Sequence, residues 1–204
     1  MVSIEQTSRK YRGRKAATYD EIRVRQARWH LENETIARWL HEMRPSSVLD
    51  CPVGTGRFMC HYADLACTCL KELIGVDASD EMLALARKKA PLSMRRLVTL
   101  RLDVGDAPNL PVVGNGVDEV VCVRFLDLMD EEAMRAVVRE LCRAARRAVL
   151  LTIRLGDEYV PKVNTATHGR GKFLSLVSRL GWRVADSVPF RDAGWTIIRL
   201  ERKR

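Results

Sequence analysis

The run Val48-Leu49-Asp50-Cys51-Pro52-Val53-Gly54-Thr55-Gly56-Arg57 constrains the fold of this chain more than any other feature. Val48 and Leu49 lead into Asp50 as the end of a strand, a glycine loop follows, and a helix is expected to begin near Arg57. Gly54 and Gly56 let the backbone turn tightly and approach a ligand with no Cβ in the way. In open α/β sheets ligands bind beyond the carboxyl ends of strands, so this loop stands where a ligand is expected. A dinucleotide fingerprint needs a third glycine, where Met59 stands, and the Gly-Lys-Ser/Thr of a phosphate-cradling loop is missing. Asp50, immediately ahead of the loop, opposes a phosphate and suits a cationic amino group.

From Ser47 onward, short β-branched runs alternate with helical patterns, which predicts an α/β domain with a largely parallel sheet. Strands are expected at 47–51, 73–77, 97–103, 117–123 and 148–154. Two more, at 183–188 and 195–201, are joined by too short a connection for a helical crossover and should pair antiparallel. The count is seven strands in one Rossmann-like domain with helices on both faces. Thr18-Tyr19-Asp20-Glu21 reads as a capping box opening a helix that runs to about Met43, with an interruption near Asn33. Ser79 and Asp130 are expected to cap the helices that follow them. Residues 166–180 read as a further helix stopped by Gly181. The expected organisation is an N-terminal lid and helical segment over 1–44 and a core over 45–204.

Two further acids fall in register with the loop. Ile74-Gly75-Val76-Asp77 ends the next strand, where a carboxylate can accept both hydroxyls of a ribose. Gly105-Asp106-Ala107-Pro108-Asn109-Leu110-Pro111 follows the third strand, where Asp106 could accept from an adenine amino group. Together they describe an adenosine-shaped site. At this point the sequence resembles the class I S-adenosylmethionine-dependent methyltransferases, in the small-molecule branch with a D-x-P-x-G-T-G-R loop. The resemblance is strong over 48–123 and weaker to the C-terminus. It implies S-adenosylmethionine as cofactor and S-adenosylhomocysteine as product. It implies that Asp50, Pro52, Gly54, Thr55, Gly56, Asp77, Ala78, Met82, Asp106, Ala107 and Arg124 form the cofactor site, with Tyr11 and Tyr19 closing over its methionine end.

Methyl transfer from a sulfonium is a direct displacement, in which the enzyme mainly aligns nucleophile, methyl and sulfur. A general base is needed only when the acceptor loses a proton. Arg124, Phe125, Leu126 and Asp127 emerge at the carboxyl end of the fourth strand, beside the reacting methyl. Asp127 stands where small-molecule members often carry histidine, and a capping role is open to it as well. His168 is expected at a helix start lining the pocket mouth, with an ordinary pKa suited to proton removal. Arg124, Asp127 and His168 are thus the catalytic candidates.

The acceptor is narrowed by what is missing. No Asn-Pro-Pro-Tyr, Asp-Pro-Pro-Tyr or Pro-Cys follows the fourth strand, which disfavours base methylation, and the fold consumes nearly the whole chain. A small-molecule or lipidic acceptor is favoured. The alternatives are an RNA-directed methyltransferase and a non-catalytic S-adenosylmethionine-binding protein. The RNA reading rests on charge alone: 35 basic against 26 acidic residues, a net charge of +9, spread over several segments rather than gathered in one.

Hydrophobic residues make up 47% of the 204, yet no stretch approaches the roughly 20 apolar residues of a membrane span. The N-terminus shows no apolar signal core, so a cytoplasmic protein is expected. The six cysteines lack paired C-x-x-C spacing, with Cys67-Thr68-Cys69 the one close pair, and no metal site is expected from them.

Overall fold

A computed structural model describes residues 18–161, 165–190 and 194–203. Tyr11 and the greater part of the expected lid lie outside them. The chain divides after Asp106 into two compact units.

In the first unit, α1 (Tyr19–Arg23) leads to α2 (Ala27–Met43), β1 (Ser47–Asp50), α3 (Met59–Ala66), β2 (Glu72–Asp77), α4 (Asp80–Lys89), α5 (Leu92–Leu97) and β3 (Thr99–Val104). β2 lies between β1 and β3 and pairs with both in parallel. Every residue of β1 is buried, as expected of a parallel strand covered on both faces, whereas β3 alternates exposed and half-buried residues. The helical break falls at Val24-Arg25-Gln26, not at Asn33. Asn33 continues α2 because its side-chain oxygen is engaged by the Arg57 guanidinium, 2.6 Å away, and does not compete with the helix backbone. The predicted capping box is not formed, since Thr18 makes no side-chain cap bond to α1. α2 stops where Arg44 turns left-handed at φ 49° just ahead of Pro45. Ser79 caps α4, its hydroxyl accepting from the Met82 amide at 3.4 Å. α5 takes the residues where the third strand was expected to begin. Pro91 precedes its first turn, and Met94 anchors it in the core at 1% exposure.

The second unit holds β4 (Val117–Cys122), a 3-10 turn (Leu126–Leu128), α6 (Glu131–Ala144), β5 (Ala145–Gly156), β6 (Val160–Pro161), β7 (Ala166–Gly169), α7 (Arg170–Arg179), β8 (Trp182–Pro189) and β9 (Trp195–Arg202). β5 runs parallel to β4 and β7, and antiparallel to β9, which pairs in turn with β8. The C-terminal antiparallel pairing is therefore as expected. Asp130 caps α6 by accepting from the Ala133 amide at 2.8 Å. Met134, Val137, Val138 and Leu141 recur at helical spacing and bury one face of α6.

Among the described residues there are nine strands rather than the seven expected. The additions are β6 and β7, and β7 occupies the start of the helix predicted over 166–180. Ala166-Thr167-His168-Gly169 has no strand pattern of its own. It is held extended by register with the end of β5, Leu155 against His168 and Gly156 against Gly169. Among the described residues, no helix is long and apolar enough to cross a membrane.

Candidate functional site

The end of β1 delivers Asp50 into the interior, where it is 2% exposed and accepts a 3.0 Å hydrogen bond from the Tyr62 hydroxyl of α3. Burial pushes its carboxyl up to about 7, against the Tyr62 bond and the Arg57 charge, which lower it, and with the neighbouring Asp77 raising it further. At the end of β2 both oxygens of Asp77 are held by the backbone. The Gly54 amide donates to Oδ2 and the Ser79 amide to Oδ1, each at 2.9 Å. Burial raises the Asp77 carboxyl as well, opposed by amide hydrogen bonds from Ser79, Gly54 and Ala78. Each oxygen keeps capacity for another donor, which is what a ribose diol requires.

The glycine loop joins these ends. The Val53 amide donates to the Val76 carbonyl at 2.9 Å, and the Gly105 amide to the Asp77 carbonyl at 3.1 Å. The strand ends that carry Asp50, Asp77 and Asp106 are thus tied by backbone. The two loop glycines do different work. Gly54 has φ 54°, and a Cβ there would meet nothing within 4 Å, so open space faces the backbone at this point. Gly56 has φ 76°, and its Cβ would come within 2.8 Å of Met59 Cγ and 2.9 Å of Ala86 Cα. Gly56 therefore serves packing against α4, and Met59, in the place of a third glycine, fills that contact.

The remaining cofactor candidates of this unit are close by in sequence. Thr55 is buried, and its hydroxyl donates to Asp20 at 2.7 Å while accepting from the Lys89 ammonium at 3.0 Å. Lys89 also pairs directly with Asp20. Tyr19 is half-buried beneath the Arg23 guanidinium, 5.2 Å from its ring centroid. Pro52, Ala78 and Asp106 are half-buried, and Met82 is buried in the first turn of α4.

Arg57 closes the loop onto α2. Its guanidinium bonds Glu32 at 2.9 Å, Asn33 at 2.6 Å and the Trp29 carbonyl at 2.6 Å, and it lies 3.7 Å from the Trp29 ring centroid. The sequence reading missed Asp20, Arg57, Tyr62 and Lys89 as site-forming residues. Arg57 was in the motif itself; Tyr62, twelve residues past Asp50, gave no local signal.

In the second unit Ala107 is buried at 3% exposure. Arg124, just past β4, has φ 57°, an uncommon conformation for a side-chain-bearing residue that clusters at functional sites. Its amide donates to the Thr152 hydroxyl at 2.7 Å. Asp127 is buried in the 3-10 turn. His168 does not start a helix at a pocket mouth: it stands in β7, fully buried, with Nε2 2.8 Å from the Leu126 carbonyl. A carbonyl only accepts, so Nε2 carries the proton and Nδ1 is left as a bare acceptor without a hydrogen-bond partner. Burial holds the imidazolium form below its ordinary range, the Leu126 bond and the charges of Glu131 and Asp130 opposing. His168 is thus brought to the loop that carries Arg124 and Asp127.

Residues 48–148 match the family described as a methyltransferase domain. An uncharacterised methyltransferase-like protein of Schizosaccharomyces pombe is 28% identical over 151 residues, 73% of this chain and 54% of that protein. The chain thus spans about half the length of that relative. Among solved structures, magnesium protoporphyrin IX methyltransferase from Synechocystis PCC 6803 with bound S-adenosylmethionine is similar at a TM-score of 0.69 and 19% identity, over 89% of this chain and 82% of that one. A putative methyltransferase in complex with the Trm112 methyltransferase activator, from Haloferax volcanii, is similar at 0.68 and 14% identity, over 99% and 98%. The shared feature is the mixed α/β Rossmann-like fold with a mostly parallel sheet.

Proposed function

We propose, from the match of residues 48–148 to the family described as a methyltransferase domain, that the chain is an S-adenosylmethionine-dependent methyltransferase acting on a small-molecule or lipidic acceptor by direct displacement. The observation that carries the cofactor half is the Asp77 carboxylate, buried and held on both oxygens by backbone amides at 2.9 Å. A carboxylate fixed this way is pre-oriented for two hydroxyls and costs no reorganisation on binding. Asp50 supplies the second requirement: a buried acid raised to about 7 gains most from a cationic partner. The open space at Gly54 gives a ligand room against the backbone. When bound, the cofactor supplies an activated methyl group. On this reading Asp77 orients the ribose, Asp50 holds the amino end, and Asp106 and Ala107 stand at the adenine. Within the first unit Pro52, Thr55, Ala78 and Met82 complete the wall, with Tyr19 ahead of it in sequence.

Where the acceptor loses a proton, His168 is the proposed base. What supports it is Nδ1, an acceptor without a hydrogen-bond partner in a neutral ring. Arg124 and Asp127 are proposed to line the acceptor side. A small acceptor is supported by the Synechocystis neighbour, whose name is that of a magnesium protoporphyrin IX methyltransferase. The RNA-directed alternative rests on the net charge of +9, and a non-catalytic S-adenosylmethionine-binding protein is the other alternative.

The test offers labelled S-adenosylmethionine to the full chain with cell extract split into small-molecule, lipid, RNA and protein fractions. Uptake in the small-molecule or lipid fraction is the expected outcome. Uptake in RNA, with retention that falls steeply with salt, supports the RNA-directed alternative. Cofactor binding with no S-adenosylhomocysteine formed from any fraction supports the non-catalytic one.

A further inference from the structure

Away from the cofactor loop, α2 and α3 bring together the one group of metal-ligating side chains found among the described residues. His41 stands in the last turn of α2, and His61 and Asp64 are three residues apart on α3, hence on one face of that helix. One ligand atom from each lies within 4.8 Å of the other two. Three donors at such separations all reach within about 2.8 Å of a common centre, and small side-chain rotations close that to the roughly 2.0–2.2 Å of zinc bonds to imidazole and carboxylate. We propose that His41, His61 and Asp64 form a binding site for a borderline divalent cation of the zinc class, clamping the C-terminal turn of α2 to α3.

The donor set is suited to that class. Two imidazoles and one carboxylate match zinc and its neighbours, whereas calcium and magnesium seek oxygen ligands. His41 and Asp64 are exposed and His61 is half-buried, so an ion reaches the site from solvent and water completes its coordination. The ring of His61 is steadied against Phe58, with centroids 6.4 Å apart. Burial holds the His61 imidazolium below its ordinary range, the nearby Asp64 opposing and His41 and Arg57 reinforcing.

The placement gives the ion a consequence. Arg57 already ties the loop to Trp29, Glu32 and Asn33 of α2. The cation adds a second tie further along the same helix, His41 lying eight residues or roughly 12 Å beyond Asn33. α3 begins two residues after Arg57. The two ties therefore fix α3, and with it the exit of the glycine loop, against α2. The spacing of the cysteines, on which no metal site was expected, does not bear on this cluster.

The full chain, treated with chelator and reduced, is titrated with Zn2+ and Co2+ in parallel with His41→Ala, His61→Ala, Asp64→Asn and a Cys60→Ser/Cys67→Ser/Cys69→Ser variant. Expected is one ion per chain, visible d–d absorption from Co2+ without a thiolate charge-transfer band, and affinity reduced by about tenfold or more in His61→Ala. The serine variant should bind as the parent does. Zinc at about 100-fold over its Kd should raise Tm by roughly 5–10 °C in the parent and not in His61→Ala. All three ligands are at the surface or nearly so, and circular dichroism of the metal-free variants checks that they fold. A thiolate band, binding lost in the serine variant, undiminished affinity in a folded His61→Ala chain, or no binding at millimolar metal would each overturn the site. None of these readouts depends on methyl transfer, so the proposed function stands or fails separately.

Discussion

The buried acids at the strand ends of the first unit are hydrogen-bonded, whereas one buried acid of the second, Glu119, is not. Asp77 has an amide on each oxygen and Asp50 has the Tyr62 hydroxyl, whereas Glu119, fully buried in β4, has no hydrogen-bond partner on either oxygen, and His168 has none on Nδ1. Burial pushes the Glu119 carboxyl up to about 8, with Arg147 and Arg199 opposing and Asp118 and Glu201 reinforcing. On the proposed function the first arrangement is a receptor prepared before its ligand arrives. The second leaves two buried polar groups without hydrogen bonds, one of them on His168.

The sharpest test of the contrast is His168→Gln, which keeps a donor toward Leu126 and removes the basic Nδ1. With the extract fraction that takes up methyl, turnover should fall by about 100-fold or more if the acceptor must lose a proton. The parent's rate should rise with pH to a plateau, with its inflection below 6.5, the direction set by burial. A variant with full turnover and the same profile assigns His168 to structure alone.

Next in size is Arg57→Ala, which leaves Glu32, 1% exposed, without its 2.9 Å partner. Removing one member of a buried pair costs about 3 kcal/mol, although Arg28 at 3.4 Å retains part of the compensation. Urea unfolding checks this, and a loss below about 1 kcal/mol would mean the loop does not depend on α2. Glu119→Gln should act in the opposite direction. As pH rises from about 4.5 to about 8 the unfolded chain ionises this residue before the folded one does, so the parent loses stability across that window. The variant should lack that slope and exceed the parent by roughly 1–3 kcal/mol above it. Parallel pH–stability curves would show that the acid has a partner. Smallest is Asp130→Ala, which removes the α6 cap and should cost about 1 kcal/mol in the same unfolding assay.

The same contrast explains what could be read from the chain alone. Asp50 and Asp77 end strands, and Gly54, Gly56 and Asp106 lie just beyond strand ends, so their placement follows from local sequence and strand order. Strand ends near Ser47, Asp77 and Cys122, and the antiparallel pairing of β8 with β9, were legible for that reason. β7 was not, because Ala166-Thr167-His168-Gly169 is held extended by β5 and has no pattern of its own. His168 was noticed as a residue but misplaced with its element. Tyr62 behind Asp50, and His41 facing His61 across twenty residues, are contacts between elements that no spacing rule announces.

Calorimetric titration of the full chain with S-adenosylmethionine, repeated on Asp77→Asn, decides the ribose assignment of Asp77. Binding should weaken by about 100-fold in the variant, from the loss of charged hydrogen bonds to two hydroxyls. Binding in the parent should tighten as pH rises from about 5.5 toward 7, because Asp50, raised to about 7, must ionise to meet the amino group. Equal affinity in parent and variant, or no binding by the parent, would contradict that assignment.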